Sequence, residues 1–414
     1  MQSDELLAVI GAGQAGAELA VQAREAGWPG RIVLVGDEAS LPYHRPPLSK
    51  AYLAGAVSVD TLSLKAHAAY EKAGVELMLG RTVERIDRAA RCVHFVGGES
   101  MVYSRLAFAT GGRPRRLPEA ALGADNAGNF HYLRTLADVD RIRARFVPGA
   151  RLAIIGGGYV GLEVAAVAVK HGLHVVVLEA APRVLARVTA PDISAFYEAV
   201  HREAGVDVRT GVQVECFELN RDRSRVTGIC CRDGARIECD LVIAGIGLVP
   251  NTELAAACGL AVDDGILVDE HSRTSDPTIV AAGDCTRFHS ALYGRSIRLE
   301  SVPNALEQAR CAAAALNGKE RLHDSVPWFW SDQYDLKLKM VGLSQGHDRL
   351  VLRGSIEARS FCAFYLKGRR VLAVDTVNRV PDFMWAKRLV AEQVAVDADQ
   401  LADESVALKS LLPQ

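Results

Sequence analysis

Twice in 414 residues the chain repeats one device: an apolar run, three glycines spaced Gly-x-Gly-x-x-Gly, a helical stretch, a second apolar run and an acid. The first copy opens with Leu6 to Ile10, carries Gly11, Gly13 and Gly16, continues through a helix-like stretch from Ala15 to Ala26 and reaches RIVLV at 31–35, with Asp37 just beyond. The second opens with RLAII at 151–155 and carries Gly156, Gly158 and Gly161. It continues through a helix from about Val160 to His171 and reaches HVVVL at 174–178, with Glu179 at its end. A short apolar run bounded by glycine reads as a buried strand, and a helix returning to a second such run makes a parallel β-α-β unit. The first glycine permits the tight turn, the second lets a pyrophosphate approach the backbone, and the third allows the helix to pack on the strand. Phosphate charge then meets the unpaired N–H groups at the helix N-terminus, and the acid accepts hydrogen bonds from a ribose. One such fingerprint is a weak signal. Two, each in its full setting, predict a chain that holds two dinucleotides.

A chain of this length exceeds a single hydrophobic core. In TSDPTIVAAGDCTRF an extended apolar run ends at Gly283-Asp284, which places a carboxylate at a strand terminus, suited to the ribityl chain of a flavin. LAFATGGRPRR, containing Ala109 to Gly112, and LVIAGIGLVPN, ending in Pro250-Asn251, resemble the segments by which two-dinucleotide flavoproteins cross between domains. Beyond about Pro327 the pattern changes to alternating runs, LKLKMVGL and SFCAFYLKGRRVLAVDTV, with Lys367-Gly368 as a hairpin turn. The expected fold is α/β: two Rossmann-like dinucleotide-binding domains, a discontinuous one for the flavin (1–113 and 247–326) and an inserted one (114–246), followed by a small α+β C-terminal domain (327–414).

A formal net charge of -2 gives no nucleic-acid footprint. The opening MQSDELLAVIGAG has no basic region followed by an apolar run and a cleavage site, and no apolar stretch reaches the roughly 20 residues that span a bilayer. A cytoplasmic protein without membrane attachment is expected. The nine cysteines are scattered and never spaced Cys-x-x-Cys, so no metal site, cluster or disulfide framework is spelled out. The same absence argues against glutathione, thioredoxin or lipoamide reductase chemistry, which passes electrons through a dithiol beside the flavin. Electrons are expected to leave singly, to an external carrier.

HRPPLSKAYLAG, IGGGYVGLEVAA, RVTAPDISAFYE, HREAGVDVRTG, IAGIGLVPN, ESVPNALEQAR and PWFWSDQY together give the chain a strong similarity to the ferredoxin reductases of bacterial oxygenases, flavoproteins of the glutathione-reductase structural type. The resemblance covers nearly the whole chain. It implies FAD in the first fingerprint, NADH in the second, and a [2Fe-2S] ferredoxin as partner, which feeds a cytochrome P450 or a Rieske-type oxygenase. It further implies FAD contacts by Ala15, Asp37, Lys50, Val83, Arg134, Asp284 and Val302. Lys50 would stabilise reduced flavin electrostatically, Glu163 would pair with Lys50 and help hold the nicotinamide, and Tyr159 would screen the flavin until the nicotinamide displaces it. Trp330, two residues from Trp328 and on the same strand face, would lie beneath the surface where the ferredoxin docks. Arg310, Lys339, Lys387 and Lys409 are candidates for a basic patch facing an acidic partner.

Glu179 favours NADH, because a carboxylate at the ribose repels a 2'-phosphate, while Arg183 four residues on weakens that exclusion and leaves NADPH as a poorer donor. A rubredoxin reductase or an NADH oxidase would share both fingerprints. A nicotinamide-sensing flavoprotein that acts as an interaction module is a reading of another class. The resemblance is compatible with a monomer or a weak dimer.

Overall fold

The run Leu6–Ile10 is a strand buried at every position. It lies at the centre of a five-stranded sheet ordered Ile279–Ala281, Arg105–Phe108, Leu6–Ile10, Arg31–Val35, Val75–Met78. Every pairing is parallel, as expected of strands that bury both faces. The helix Gln14–Ala26 packs against the helix Val302–Leu316. Alanines at 17, 20, 309, 312 and 313 are buried there and let the two backbones approach closely, above a core of Leu7, Leu19, Ile32, Leu34 and Tyr70. Gly27 stops the first helix: its φ of 111° and its N–H bonds to Ala23 and Arg24 carbonyls form a left-handed cap. Truncating a core leucine such as Leu19 would cost about 2–5 kcal/mol.

In this computed structural model, which describes residues 4–118 and 127–413, those elements belong to the first of two units. That unit comprises Met1–His44, Asp60–Arg113 and Val249–Trp328. The edge strand Ile279–Ala281 pairs with Arg105–Phe108, so the first unit is completed by chain from beyond the second fingerprint.

The second unit comprises Arg45–Val59, Pro114–Leu248 and Phe329–Gln414. Its first sheet is ordered Phe130–Tyr132, Leu241–Ala244, Arg151–Ile155, His174–Glu179, Asp207–Thr210. It too is parallel throughout, with the strand before the glycines again in the middle. A three-stranded antiparallel sheet, Val214–Leu219, Val226–Cys231 and Arg236–Glu238, lies in the same unit. A second five-stranded sheet is ordered Trp328–Gln333, Leu336–Gly342, Arg370–Val377, Ser360–Lys367, Arg349–Ser355, with the helix Val380–Ala391 packed on it. Gly368, at φ 58°, turns the hairpin between its two longest strands.

Three details differ from the sequence reading. The segment Phe329–Gln414, read as a separate C-terminal domain, clusters with the second unit. The second fingerprint's helix runs Tyr159–Lys170 rather than from about Val160 to His171, so it begins at Tyr159. The stretch Arg45–Val59, read as part of the first domain, clusters with the second unit.

Candidate functional site

The glycine turn of the first unit is built by exclusion. Gly11 has φ +110°, and a Cβ there would lie 2.2 Å from the Ala109 carbonyl oxygen. A Cβ on Gly16 would lie 1.9 Å from Gly11 O, so only glycine lets helix and strand meet. Gly13 is different: a Cβ there would have nothing within 4 Å. Gly13 is also the helix N-cap, with no side-chain cap hydrogen bond. Gly13 therefore leaves room beside the helix N-terminus, the setting that binds a phosphate. Gln14 Oε1, on the next residue, is buried without a hydrogen-bond partner. Ala15 lies under Gly283, whose Cβ would come within 3.0 Å of the alanine's Cβ. The neighbouring Asp284 is thereby brought to the same end of the sheet. Gln308, fully buried, fixes that corner: its Oε1 accepts from Gly283 N at 2.9 Å and from Thr286 Oγ1 at 2.8 Å. Gln308 lies within ESVPNALEQAR, but nothing local marks it as a brace.

Asp37 is exposed, and its carboxylate has no hydrogen-bond partner among the described residues. Val83 opens the strand Val83–Asp87, and Val302 opens its helix behind the N-cap Ser301. Arg310 forms ion pairs with Glu18 at 3.3 Å and Glu307 at 2.7 Å, so much of its charge is answered within its own unit.

The second unit repeats the cradle. Gly156 has φ +108° and a Cβ there would lie 2.5 Å from Gly245 O; a Cβ on Gly161 would lie 2.1 Å from Gly156 O; a Cβ on Gly158 would meet nothing within 4 Å. Gly158 is again an N-cap without a side-chain bond. The two turns share a defining bond, Gly11 N to Val35 O and Gly156 N to Leu178 O, both 2.8 Å. Matched on that bond, Glu179 corresponds to Gly36, and Asp37 lies one residue later. A side chain at Gly36 would strike Ala12 Cβ at 2.6 Å, so the first unit carries its acid one step on. Glu179 is pinned, accepting from Gly157 N at 2.6 Å and Ala181 N at 2.7 Å. Arg183 bonds to Ser194 Oγ at 2.6 Å and Ala186 O at 3.0 Å. Its guanidinium is committed to its own loop and to the first turn of the helix Pro191–Glu203.

One turn into this helix, Glu163 is 3% exposed and gathers donors from two distant segments. Its Oε1 lies 2.8 Å from Lys50 Nζ and accepts from Ser331 Oγ at 2.6 Å, while Oε2 accepts from Ser49 Oγ at 2.5 Å. The prolines at 46 and 47 set up the 3-10 turn Pro46–Ser49 and leave Lys50 at its C-terminal end, where the lysine also bonds to Pro46 O. The network continues inward. Gln333 Nε2 donates to Ser331 Oγ at 3.1 Å, and Gln333 Oε1 lies 2.9 Å from Nε2 of the fully buried His201. Tyr334 Oη lies 2.9 Å from His201 Nδ1. Burial pushes the imidazole down to about 4, so it is neutral at pH 7. With Nε2 protonated, every bond runs the same way, from Tyr334 through His201, Gln333 and Ser331 to Glu163.

Tyr159 Oη lies 2.6 Å from Met340 Sδ, and its ring stands 5.1 Å from that of Phe329, which stands 6.2 Å from Trp330. Burial raises the phenol well above its usual range, and the nearby Asp375 carboxyl adds to the shift. Tyr159 thus packs on Phe329, the strand neighbour of Trp330 and a residue the sequence reading did not single out. Arg134 sits in the same unit, its carbonyl accepting from Arg45 at 2.8 Å beside the capping box of Thr135 and Asp138. On the C-terminal sheet and helix, Lys339 Nζ lies 5.3 Å from the Phe383 ring and Lys409 Nζ 5.8 Å from Trp385. Lys387 is half-buried on the same helix, near the exposed Met384.

Residues 6–309 match the pyridine nucleotide-disulphide oxidoreductase family, and residues 328–412 match the reductase C-terminal family. Putidaredoxin reductase of Pseudomonas putida is 53% identical over 412 residues, covering 100% of this chain and 98% of its own. Among solved structures, the covalent putidaredoxin reductase–putidaredoxin complex matches with a TM-score of 0.96 at 53% identity, over 99% of this chain and 98% of that one. The ferredoxin reductase for the CYP199A2 system of Rhodopseudomonas palustris matches with a TM-score of 0.92 at 41% identity, over 99% of both chains. With two duplicated nucleotide cradles and full-length relatives of this kind, the chain belongs to the pyridine nucleotide-disulphide oxidoreductase family.

Proposed function

We propose that this chain is an FAD-containing, NADH-dependent ferredoxin reductase that delivers electrons one at a time to a [2Fe-2S] ferredoxin serving a cytochrome P450, and that it works in the cytoplasm. The duplication carries this reading: each unit presents an uncapped helix N-terminus in front of a glycine that leaves open space. The residues fit two dinucleotides. Relatives of this chain include putidaredoxin reductase and a reductase for a CYP199A2 system. Among the described residues no helix is long and apolar enough to cross a membrane.

FAD is assigned to 1–113 and 247–326, with Gly11, Gly13, Ala15, Gly16, Asp37, Lys50, Val83, Arg134, Asp284 and Val302 as its contacts. NADH is assigned to 114–246, with Gly156, Gly158, Tyr159, Gly161, Glu163 and Glu179. Bound there, FAD supplies an acceptor for hydride that can release electrons singly. The protein's part is positioning. Glu163 holds the Lys50 ammonium, which counters negative charge; Tyr159 covers the nicotinamide position; Glu179 excludes a 2'-phosphate. Trp330, in the C-terminal domain 327–414, underlies a docking face that includes Lys339, Lys387 and Lys409; Arg310, on the first unit, is a separate candidate contact whose charge Glu18 and Glu307 share.

The test is to reduce the purified protein anaerobically with NADH, mix it with an oxidised [2Fe-2S] ferredoxin, and follow cluster absorbance at low and high salt. Fast bleaching that slows with salt is expected. A protein whose flavin reduces while several ferredoxins stay oxidised overturns the assignment of the carrier.

A further inference from the structure

Cys216 and Cys230 stand 14 positions apart with no motif around them. The fold sets them face to face. They lie on the antiparallel strands Val214–Leu219 and Val226–Cys231, where Cys216 is the direct partner of Cys230 and Phe217 that of Ile229. Phe217 and Ile229 pack into the core of the second unit, so the alternation of a strand turns Cys216 and Cys230 together to the opposite face. The third strand brings Arg236 beside Cys230 on that face, where the arginine is tied to Glu218 and Glu238. Cys216 is exposed and Cys230 half-buried, whereas six of the other seven cysteines are buried.

Directly opposed residues of an antiparallel pair have Cα atoms about 4.5–5.5 Å apart, inside the roughly 4.4–6.8 Å that a disulfide spans. The backbone already has the spacing the bond needs. The Cys230 thiol is pushed up to about 11, chiefly by its hydrogen bond with Cys216, with burial and the Glu218 charge acting the same way. Cys216 is the exposed member of the pair and Cys230 the half-buried one, so Cys216 is the sulfur an external disulfide reaches first.

We propose that Cys216 and Cys230 form a reversible dithiol–disulfide site on the second unit, with a low-molecular-weight disulfide such as oxidised glutathione as its oxidant. The Cys216 thiolate attacks one sulfur of the small disulfide, forms a mixed disulfide and releases one glutathione thiolate. Cys230 then gives up its proton to solvent and attacks the Cys216 sulfur, forming the Cys216–Cys230 bond and releasing the second glutathione. Two protein thiols are oxidised and one small disulfide is reduced to two thiols. The bond would staple the hairpin whose inner face, through Phe217 and Ile229, shares its core with Ile155 and Leu178, next to Gly156 and Glu179. This site is independent of the flavin assignment.

The test uses the intact holoprotein in buffers of rising oxidised-to-reduced glutathione ratio, quenched with an alkylating agent and mapped by peptide mass spectrometry. Fragment spectra separate Cys230 from Cys231, which share the sequence VTGICCR. The expected product is a Cys216–Cys230 cross-link, two hydrogens lighter than the dithiol and fully reversed by dithiothreitol. Cys230→Ser should instead accumulate glutathione on Cys216, and Cys216→Ser should take up neither modification. A wild-type protein that stops at glutathionylated Cys216, links Cys230 to Cys231, or leaves Cys216 unmodified at the highest ratio overturns the proposal, and none of these readouts depends on a variant folding.

Discussion

Replacing Glu163 with glutamine keeps the shape of the side chain and removes its charge. The carboxylate has three donors: Lys50 at 2.8 Å, Ser331 at 2.6 Å and Ser49 at 2.5 Å. Glutamine offers one acceptor oxygen and an NH2 that only donates. A serine hydroxyl can reverse its role, but an ammonium cannot, so the loss falls on Lys50. One hydrogen bond to a charged group contributes about 1.5–3 kcal/mol. The Lys50 side chain keeps 18% exposure, and water partly replaces the lost partner, which puts the cost near 2 kcal/mol. If that pair holds Lys50 where hydride transfer needs it, the loss appears as a roughly 30-fold slower flavin reduction by NADH.

Stopped-flow reduction under anaerobic conditions measures that rate, with flavin content recorded in parallel so that lost cofactor is not mistaken for lost positioning. Lys50→Met removes the same interaction from the other side. The double variant should be no slower than the worse single one, a coupling of about 1 kcal/mol or more, whereas independent sites add to within about 0.3–0.5 kcal/mol. A double variant whose rate loss equals the product of the two single losses would refute the pair as a working unit.

Burial pushes the Asp375 carboxyl up to about 7, against a weaker opposing hydrogen bond from Tyr365, so the native state holds an extra proton between about pH 4 and 7 and this contribution to stability falls by about 4 kcal/mol as pH rises. His201, pushed down to about 4, does the reverse: the unfolded chain holds the extra proton between about pH 4 and 6.5, and stability rises by about 3 kcal/mol. The two nearly cancel in one unit, so Asp375→Asn should tilt a flat pH–stability profile upward with pH; denaturant unfolding at pH 5 and 7 checks it, and an unchanged slope contradicts the cancellation. Gly16→Ala, which puts a Cβ 1.9 Å from Gly11 O, should yield protein purified with little FAD, read from its visible absorbance. Arg183→Ala should leave kcat/KM for NADPH unchanged, because Arg183 is held by Ser194 and Ala186. Glu179→Ala should raise the NADPH-to-NADH ratio by about tenfold or more as a charge repulsion is removed.

What could be read from the sequence was what the backbone needs locally. Gly16 and Gly161 are required by contacts within their own β-α units, with Gly11 O and Gly156 O, whereas Gly11 and Gly156 are required by the ends of neighbouring strands, at Ala109 O and Gly245 O; buried parallel strands advertise themselves as apolar runs. Lys50 and Glu163 were legible as a pair only through resemblance, since 113 residues separate them. Phe329, Ser331, Gln333 and His201 gave no local sign of a role. Nor did Cys216 and Cys230, because a cross-strand pair is fixed by hairpin register, and here a bulge at Glu215 shifts that register by one. The one-residue offset between Asp37 and Glu179 is visible in the spacing, but its cause, the steric contact between Gly36 and Ala12, is not.

The network at Glu163 explains why the charge of Lys50 is not a separable feature of the site. A buried carboxylate with a single partner would be a liability, since removing it from water costs more than one ion pair returns. Glu163 meets that cost with donors from the Pro46–Ser49 turn and the strand Trp328–Gln333, and the second of these is itself oriented by Gln333 and the neutral His201. The strand that supplies Ser331 also carries Trp330, and the helix that supplies Glu163 begins at Tyr159. Lys50 and the elements that carry Tyr159 and Trp330 are thereby tied together at one carboxylate. Their relative placement follows from satisfying a buried charge, a demand that acts on the folded second unit as a whole and leaves no signature in any one stretch of its sequence.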